Sequence, residues 1–368
     1  MDGGADRSGE DGNGIPEWHG GRSLLATGQL RSTLPLSSVA SDVIRLGVTM
    51  TQNMMRAVQF HTYGGPEQLI VERVPRPEPQ AGEVLVRVYA TGVNPIDWKV
   101  RKGLFKDVMP LSLPYTPGNE FAGTIELLGI GVTTFQQGQA VYGRGGRGTY
   151  AEYAIAAADS LMHKPRTISF DQAASVPVGA RTAWIALFIL ADLQAGQRVL
   201  IHGAAGGVGN YAVQLARWKG AHVIGTASQN NLEFVRSLGA ETVIDYHATP
   251  FEQVVHEVDV VVDPIGGETQ DRSWPLIKPG GMLVAIGHPP VEDMARRYGV
   301  RTLSTVANQR TPLRISTEPL EAISSLLVTG MLLPQPGKVF PLEEARQAQA
   351  FSETGHGRGR IILRVAAE

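Results

Sequence analysis

The sequence contains no cysteine. That absence excludes disulfides, thiolate zinc sites, iron–sulfur clusters and a cysteine nucleophile. It is neutral on redox compartment. Long apolar runs are missing too. The longest, Ala183 to Ala191, is far too short to cross a bilayer. Nor is there an excess of one charge: 33 Lys and Arg stand against 35 Asp and Glu, giving a net charge of -2. The two signs are interspersed, so there is no basic face for nucleic acid and no polybasic membrane anchor. What remains is the composition of a cytoplasmic folded chain, and 368 residues suffice for two domains.

Residues 1–54 read differently from the rest. The opening Met-Asp-Gly-Gly-Ala-Asp is acidic and polar, unlike a secretory signal, and Asp2, Asp6, Glu10 and Asp11 are foreign to a mitochondrial presequence. The stretch has no sustained period and reads as a disordered tail. Met54 and Met55 directly precede an ordinary strand, so an over-extended gene model is a second reading.

From Met55 to about residue 178, apolar strand patterns alternate with Gly and Pro breakers. They fall at Arg56–Phe60, Leu69–Val74, Glu83–Ala90, Phe121–Leu127, Ala140–Tyr142 and Tyr150–Ala156. This predicts an antiparallel, barrel-like domain. Between 179 and 314 the pattern changes to short apolar strands alternating with helices: a helix at Arg181–Leu190, strands at Arg198–His202, His222–Thr226, Thr242–Ile244, Val258–Val262, Met282–Ile286 and Arg301–Val306, and helices at Gly207–Lys219 and Asn231–Leu238. The expectation is an α/β fold with a doubly wound parallel sheet. Residues 315–368 carry a helix at Glu318–Val328, a Pro-rich turn at Leu333–Pro336, a helix at Leu342–Phe351 and a strand at Arg360–Val365. That last strand has to pair with the first domain, which is therefore built from both chain ends.

The strongest motif is Gly203-Ala204-Ala205-Gly206-Gly207-Val208-Gly209, which follows the strand Val199-Leu200-Ile201 and opens a helix. This is the context a dinucleotide fingerprint needs, with Ala204 in place of its first glycine. Gly206 admits a pyrophosphate to the backbone and Gly209 lets helix and strand pack closely. The free amides at the helix start face the phosphates. An NAD site places an acid at the end of the second strand. Here that turn reads Thr226-Ala227-Ser228-Gln229-Asn230-Asn231, with no acid before Glu233. Hydroxyls and amides there suit a 2′-phosphate, so NADPH is the expected cofactor. No Arg or Lys occupies the turn, and Ser228 and Asn230 read equally as helix caps.

Several segments resemble the medium-chain dehydrogenase/reductase superfamily, in its zinc-free, zeta-crystallin-like quinone oxidoreductase branch. They are Thr91-Gly92-Val93-Asn94-Pro95-Ile96-Asp97-Trp98-Lys99, Pro117-Gly118-Asn119-Glu120, Ala180-Arg181-Thr182, the glycine motif, Val243-Ile244-Asp245-Tyr246 and His356-Gly357-Arg358-Gly359-Arg360. The resemblance spans residues 55–365. It implies a GroES-like domain beside a Rossmann domain, and a possible homodimer. Where zinc-dependent members place Cys and His, this chain has Asn94 and Asn119, and neutral amides are poor zinc ligands. No metal site is expected.

Without a Lewis acid, conjugate reduction of a quinone or α,β-unsaturated carbonyl compound is the accessible hydride chemistry. One hydrogen-bond donor at the oxygen suffices. The candidates are Asn94, Asp97 and Lys99, with Arg101 beside them. Asn94 and Asp97 read alternatively as residues that hold a turn, and Lys99 as a surface lysine. Similar enone reductases use a lysine in this segment. The resemblance also places Thr182 and Gly287 near the nicotinamide and Tyr246 near the adenosine phosphate. Tyr115 and Tyr142 read as core, and His202, His288 and His356 as structural. An enoyl-thioester reductase shares every motif. A cofactor-binding structural or RNA-binding protein is the reading from another class, and the balanced charge argues against it.

The composition of the tail leads to one expectation. A chain beginning at Met55 should keep its melting temperature and activity, because the tail buries too little apolar area to offset its ordering entropy. A drop of many degrees on calorimetric melting would refute this.

Overall fold

The computed structural model describes residues 54–367 apart from 147, 290 and 306–317. The tail, and the end of the strand expected at Arg301–Val306, lie outside the described residues. The first strands are β1 (Met54–Gln59), β2 (Ile70–Pro75) and β3 (Glu83–Val93), followed by helix α1 (Pro95–Arg101). Next come β4 (Glu120–Leu128), β5 (Ala140–Arg144), β6 (Tyr153–Ala157) and β7 (Leu161–His163). Helices α2 (Phe170–Ala174) and α3 (Pro177–Trp184) lead into alternating elements: β8 (Arg198–Ile201), α4 (Gly209–Lys219), β9 (His222–Ala227), α5 (Leu232–Ser237), β10 (Thr242–Asp245), β11 (Val258–Asp263), α6 (Glu268–Ser273), β12 (Ile277–Ala285), α7 (Glu292–Tyr298) and β13 (Arg301–Ser304). The described chain closes with α8 (Glu318–Val328), β14 (Pro336–Pro341), α9 (Ala345–Glu353) and β15 (Arg360–Arg364).

The alternating part forms a six-stranded sheet in the order β10-β9-β8-β11-β12-β13, and every pairing is parallel. Its strands are continuous apolar runs because helices cover both faces. Val199, Leu200, Ile201, Leu283, Val284 and Ala285 are all fully buried. The strand order reverses direction between β8 and β11, which opens a crevice at their carboxyl ends.

The strand-rich part orders as β14-β15-β3-β4-β5-β7, with β6 also on β3. Strand β15 pairs antiparallel with β3, Ile361 opposite Val93. The two chain ends do build one domain, packed around Val84, Val86, Val88, Phe121, Ile125 and Leu363. Among the described residues, no helix is long and apolar enough to cross a membrane.

Three details differ from the sequence reading. The helix expected at Arg181–Leu190 starts at Pro177, where proline fits a first turn, and continues as a π-helical stretch over Ile185–Leu190. The turn expected at Leu333–Pro336 runs into β14, an edge strand, where prolines at the ends are tolerated. Helix α8 packs Leu320, Ile323 and Leu326 into the same cluster as Val199 and Ile201. The first strand after residue 315 to join the strand-rich sheet is β14.

Candidate active site

The glycine loop sits at the carboxyl end of β8. A Cβ on Gly209 would stand 2.2 Å from the Gly203 carbonyl oxygen, so only glycine lets α4 approach the strand this closely. The loop borders a cleft of about 1190 Å³, and Gly203, Ala205, Gly206, Gly207, Val208 and Gly209 line it. Ala204 does not. It is fully buried, and its amide donates to the Thr226 carbonyl at 2.9 Å. The residue replacing the first glycine therefore packs inward, away from the expected ligand.

Thr182, Ser228, Asn230, Asn231, Tyr246 and Gly287 line the same cleft, so the remaining sequence candidates for cofactor contact are brought together. The Asn231 side chain donates to Ser228 Oγ at 3.0 Å. The Ser228 side chain makes no cap hydrogen bond of its own. The cation that the turn itself lacks comes from far along the chain. The Arg358 guanidinium lies 4.0 Å over the ring of Phe234 and borders the cleft. Phe234 is only three residues beyond Asn231. Sequence reasoning missed this role, because nothing local in His356-Gly357-Arg358-Gly359-Arg360 signals which turn it meets.

His202, read as structural, forms part of the cleft floor. Its ring nitrogens face Thr226 Oγ1 at 3.1 Å and Ser273 Oγ at 2.9 Å, and burial pushes its pKa down to about 4. It is therefore neutral at ordinary pH. His356, also read as structural, lies exposed at the cleft. Tyr142 is core, and Tyr115 packs on Phe60 at 5.5 Å.

At the other end of the cleft, Asn94 caps α1 and Pro95 occupies the first helical position. A simple cap would turn its side chain back to the helix amides. Asn94 instead points away. Its Nδ2 donates to Glu120 Oε1 at 2.8 Å, and its Oδ1 accepts from Arg360 Nη2. Arg360 also donates to Glu120 Oε1, from Nε at 3.0 Å and from Nη2 at 2.6 Å. The second carboxylate oxygen of Glu120 accepts the Val178 amide at 2.7 Å. Glu120, Arg360 and Asn94 are all nearly inaccessible to solvent. A Cβ on Gly92 would fall 2.2 Å from Glu120 Oε1, so the glycine before Val93 makes room for the carboxylate.

Asp97 takes no part in the cleft. Its Oδ2 accepts from the Asn94 amide at 2.8 Å and from the Tyr150 hydroxyl at 2.9 Å. Full burial, opposed by those bonds, raises its carboxyl pKa to about 7. The catalytic assignment expected for Asp97 gives way to one of holding the turn. Arg101 also turns away, bonding Gln349 at 2.7 Å and Glu353, and it ties α1 to α9. Lys99 does line the cleft, and its ammonium lies 5.6 Å from the centre of the Trp98 ring.

A Rossmann crevice, a phosphate-type glycine loop and a polar end supplied by a GroES-like barrel define a two-domain oxidoreductase that uses a nicotinamide cofactor. Residues 80–166 match the alcohol dehydrogenase GroES-like domain, and residues 238–363 match a zinc-binding dehydrogenase family. The quinone oxidoreductase of Mus musculus is 35% identical over 330 residues, covering 85% of this chain and 98% of that protein. A crystal structure of CurK enoyl reductase is 29% identical with a TM-score of 0.78, covering 85% of this chain and 99% of that one. Escherichia coli quinone oxidoreductase complexed with NADPH is 27% identical with a TM-score of 0.76, covering 84% and 100%. The chain belongs to the medium-chain dehydrogenase/reductase superfamily, in its quinone oxidoreductase branch.

The zinc in one family description does not fit these residues. Asn94 is a neutral amide, a poor zinc ligand, and its two polar atoms are bonded to Glu120 and Arg360. Among the described residues, no three His, Cys, Asp or Glu side chains are grouped to hold a metal. A dinucleotide does fit. The loop amides and the Ser228–Asn231 turn border one cleft.

The raised pKa of Asp97 makes stability depend on pH. The group holds its proton in the folded state up to about pH 7, but only to about pH 4 unfolded. Its contribution is full below pH 4 and is lost as pH rises to 7. Asp97→Asn keeps an oxygen for both hydrogen bonds and removes the titration. Relative to that variant, the wild-type unfolding free energy should fall by about 3–4 kcal/mol between pH 4 and 7. Parallel pH profiles in urea titrations would refute the assignment.

Proposed function

We propose that the protein is an NADPH-dependent, zinc-independent reductase of quinones and α,β-unsaturated carbonyl compounds. The observation that carries this reading is a single cleft. It runs from the acid-free Ser228–Asn231 turn, past the glycine loop, to Asn94 and Lys99. The reduced nicotinamide supplies hydride when bound. The chain's own part is to orient the acceptor and stabilise the negative charge that develops on its oxygen. Lys99 offers an ammonium for that oxygen. Asn94, held by Glu120 and Arg360, borders the cleft beside it. Thr182 and Gly287 border the space for the nicotinamide. Arg358, Ser228 and Tyr246 border the end suited to the 2′-phosphate.

A second reading, an enoyl-thioester reductase, is favoured by the likeness to CurK enoyl reductase. It uses the same hydride chemistry. NADPH oxidation across quinones, enones, enals and enoyl thioesters separates the two, and no turnover on any of them would overturn both.

The coenzyme choice has its own test. Wild type should show a higher kcat/KM with NADPH than with NADH. Arg358→Ala should lose roughly 1–3 kcal/mol of NADPH affinity by titration calorimetry and far less with NADH. Equal or better turnover with NADH would contradict the reading.

Lys99→Met keeps the apolar stem and deletes the charge. If Lys99 stabilises the developing anion, kcat should fall about 10²–10³-fold with KM little changed. Lys99→Arg should restore only part of the rate, because its donors sit differently. Near-wild-type kcat in a folded Lys99→Met variant would remove Lys99 from the mechanism and leave Asn94 or a tyrosine as the next donor to test.

A further inference from the structure

The two ends of the cleft differ in chemistry. The glycine-loop end is bordered by hydroxyls, amides and Arg358, whereas the Lys99 end opens onto apolar side chains. After α1 the chain turns at Gly103 and runs along the cleft mouth as a chain of turns. The Leu104 amide bonds back to the Lys99 carbonyl at 3.1 Å. The amides of Val108 and Met109 both donate to the Phe105 carbonyl, at 3.1 and 2.7 Å. This folding directs Phe105, Val108 and Met109 toward the cleft, opposite Ile96 on α1, and all four line it. Phe105 also packs on the barrel core, which fixes the base of the segment. Yet Val108 is 70% exposed, Met109 43% and Ile96 37%.

Apolar side chains gathered in this way at the mouth of a binding cleft mark a ligand surface. The cleft, at about 1190 Å³, also exceeds the roughly 300–1,000 Å³ that a single small ligand usually fills. Room for cofactor and substrate together is therefore present, and Ile96, Phe105, Val108 and Met109 give the Lys99 end an apolar wall.

We infer that the substrate is an enone or quinone bearing an extended apolar tail, with its electrophilic head at Lys99 and Asn94 and its tail seated on Ile96, Phe105, Val108 and Met109. The inference rests on the reductase reading above and names its substrate class. A tail laid along this surface removes exposed apolar area on both partners, at a gain of about 0.8 kcal/mol per fully buried methylene, or about fourfold in affinity. Burial against one wall captures part of that. The expected gain is about twofold to threefold per methylene, until the tail outgrows the segment.

Alkyl vinyl ketones with methyl, propyl, pentyl and heptyl tails provide the kinetic test. The wild-type ratio of kcat/KM for the heptyl to the methyl compound should be on the order of 10²-fold. Val108→Asp places a charge on the seat at an exposed position and should reduce that ratio about tenfold or more. Leu104→Asp, exposed and outside the cleft lining, should leave it as in wild type. Binding of saturated methyl ketones of the same lengths, measured by calorimetry, reads the seat without turnover. Affinity that climbs with length and stops climbing in Val108→Asp supports the seat, even if no vinyl ketone is reduced and the reductase reading fails. A length-independent wild-type affinity, or a ratio unchanged by Val108→Asp, overturns the inference.

Discussion

The carboxylate of Glu120 holds the reactive end of the molecule together. It gathers the Asn94 amide, two guanidinium nitrogens of Arg360 and the Val178 backbone amide, and it does so out of contact with solvent. A carboxylate in that position is tolerated only when its lone pairs are satisfied and its charge is compensated, and removing either partner strands a buried ion. Four segments distant in sequence are therefore fixed to one point: the β3–α1 junction, β4, the start of α3 and β15. The same ion pair brings a cation of the chain's own to the Asn94 side chain. The Gly359 amide bonds the Ala205 carbonyl at 2.8 Å, so the strand that carries Arg360 is joined to the cofactor loop as well.

Much of this was legible in sequence, for identifiable reasons. The parallel sheet announced itself through apolar runs alternating with helical periods, and the glycine loop through its place between strand and helix. Both signals are local. The return of the last strand to the first domain followed from an elimination, since a terminal strand needs a neighbour; that the neighbour is β3 was not legible. What escaped depends on contacts between distant residues. Ala204 looked like a cofactor contact because it holds a glycine's place in the motif, but a methyl group there finds its space inside, beneath Thr226. Asn94 and Asp97 looked alike as turn residues. Only the fold separates them, sending one to Glu120 and the other to Tyr150. Arg358 and Arg360, two residues apart in a strand approach, part company: one lies over the Phe234 ring, the other pairs with Glu120.

The cleft also divides its labour along its length. At the glycine-loop end the cleft is bordered by backbone and by short polar groups. At the Lys99 end an ammonium borders it beside the apolar Ile96, Phe105, Val108 and Met109. An arrangement of this kind specifies the reaction more tightly than the acceptor, since apolar walls discriminate by size and shape alone. The catalytic geometry is carried by helix α1 and paired strands, while the mouth is a chain of turns. Substitutions there alter what is accepted without reaching the buried ion pair.

Arg360 stands 240 positions after Glu120 and 266 after Asn94. During synthesis on the ribosome, β3, β4 and α1 therefore emerge long before the strand that completes their sheet and neutralises their buried carboxylate. The Rossmann part has all its strands earlier and is free to form first, so the domain that begins the fold is finished last. A nascent or prematurely terminated chain lacking β15 has the dinucleotide loop but no assembled reaction centre. The buried carboxylate of Glu120 therefore gains its guanidinium partner only once this last strand has been made and has docked.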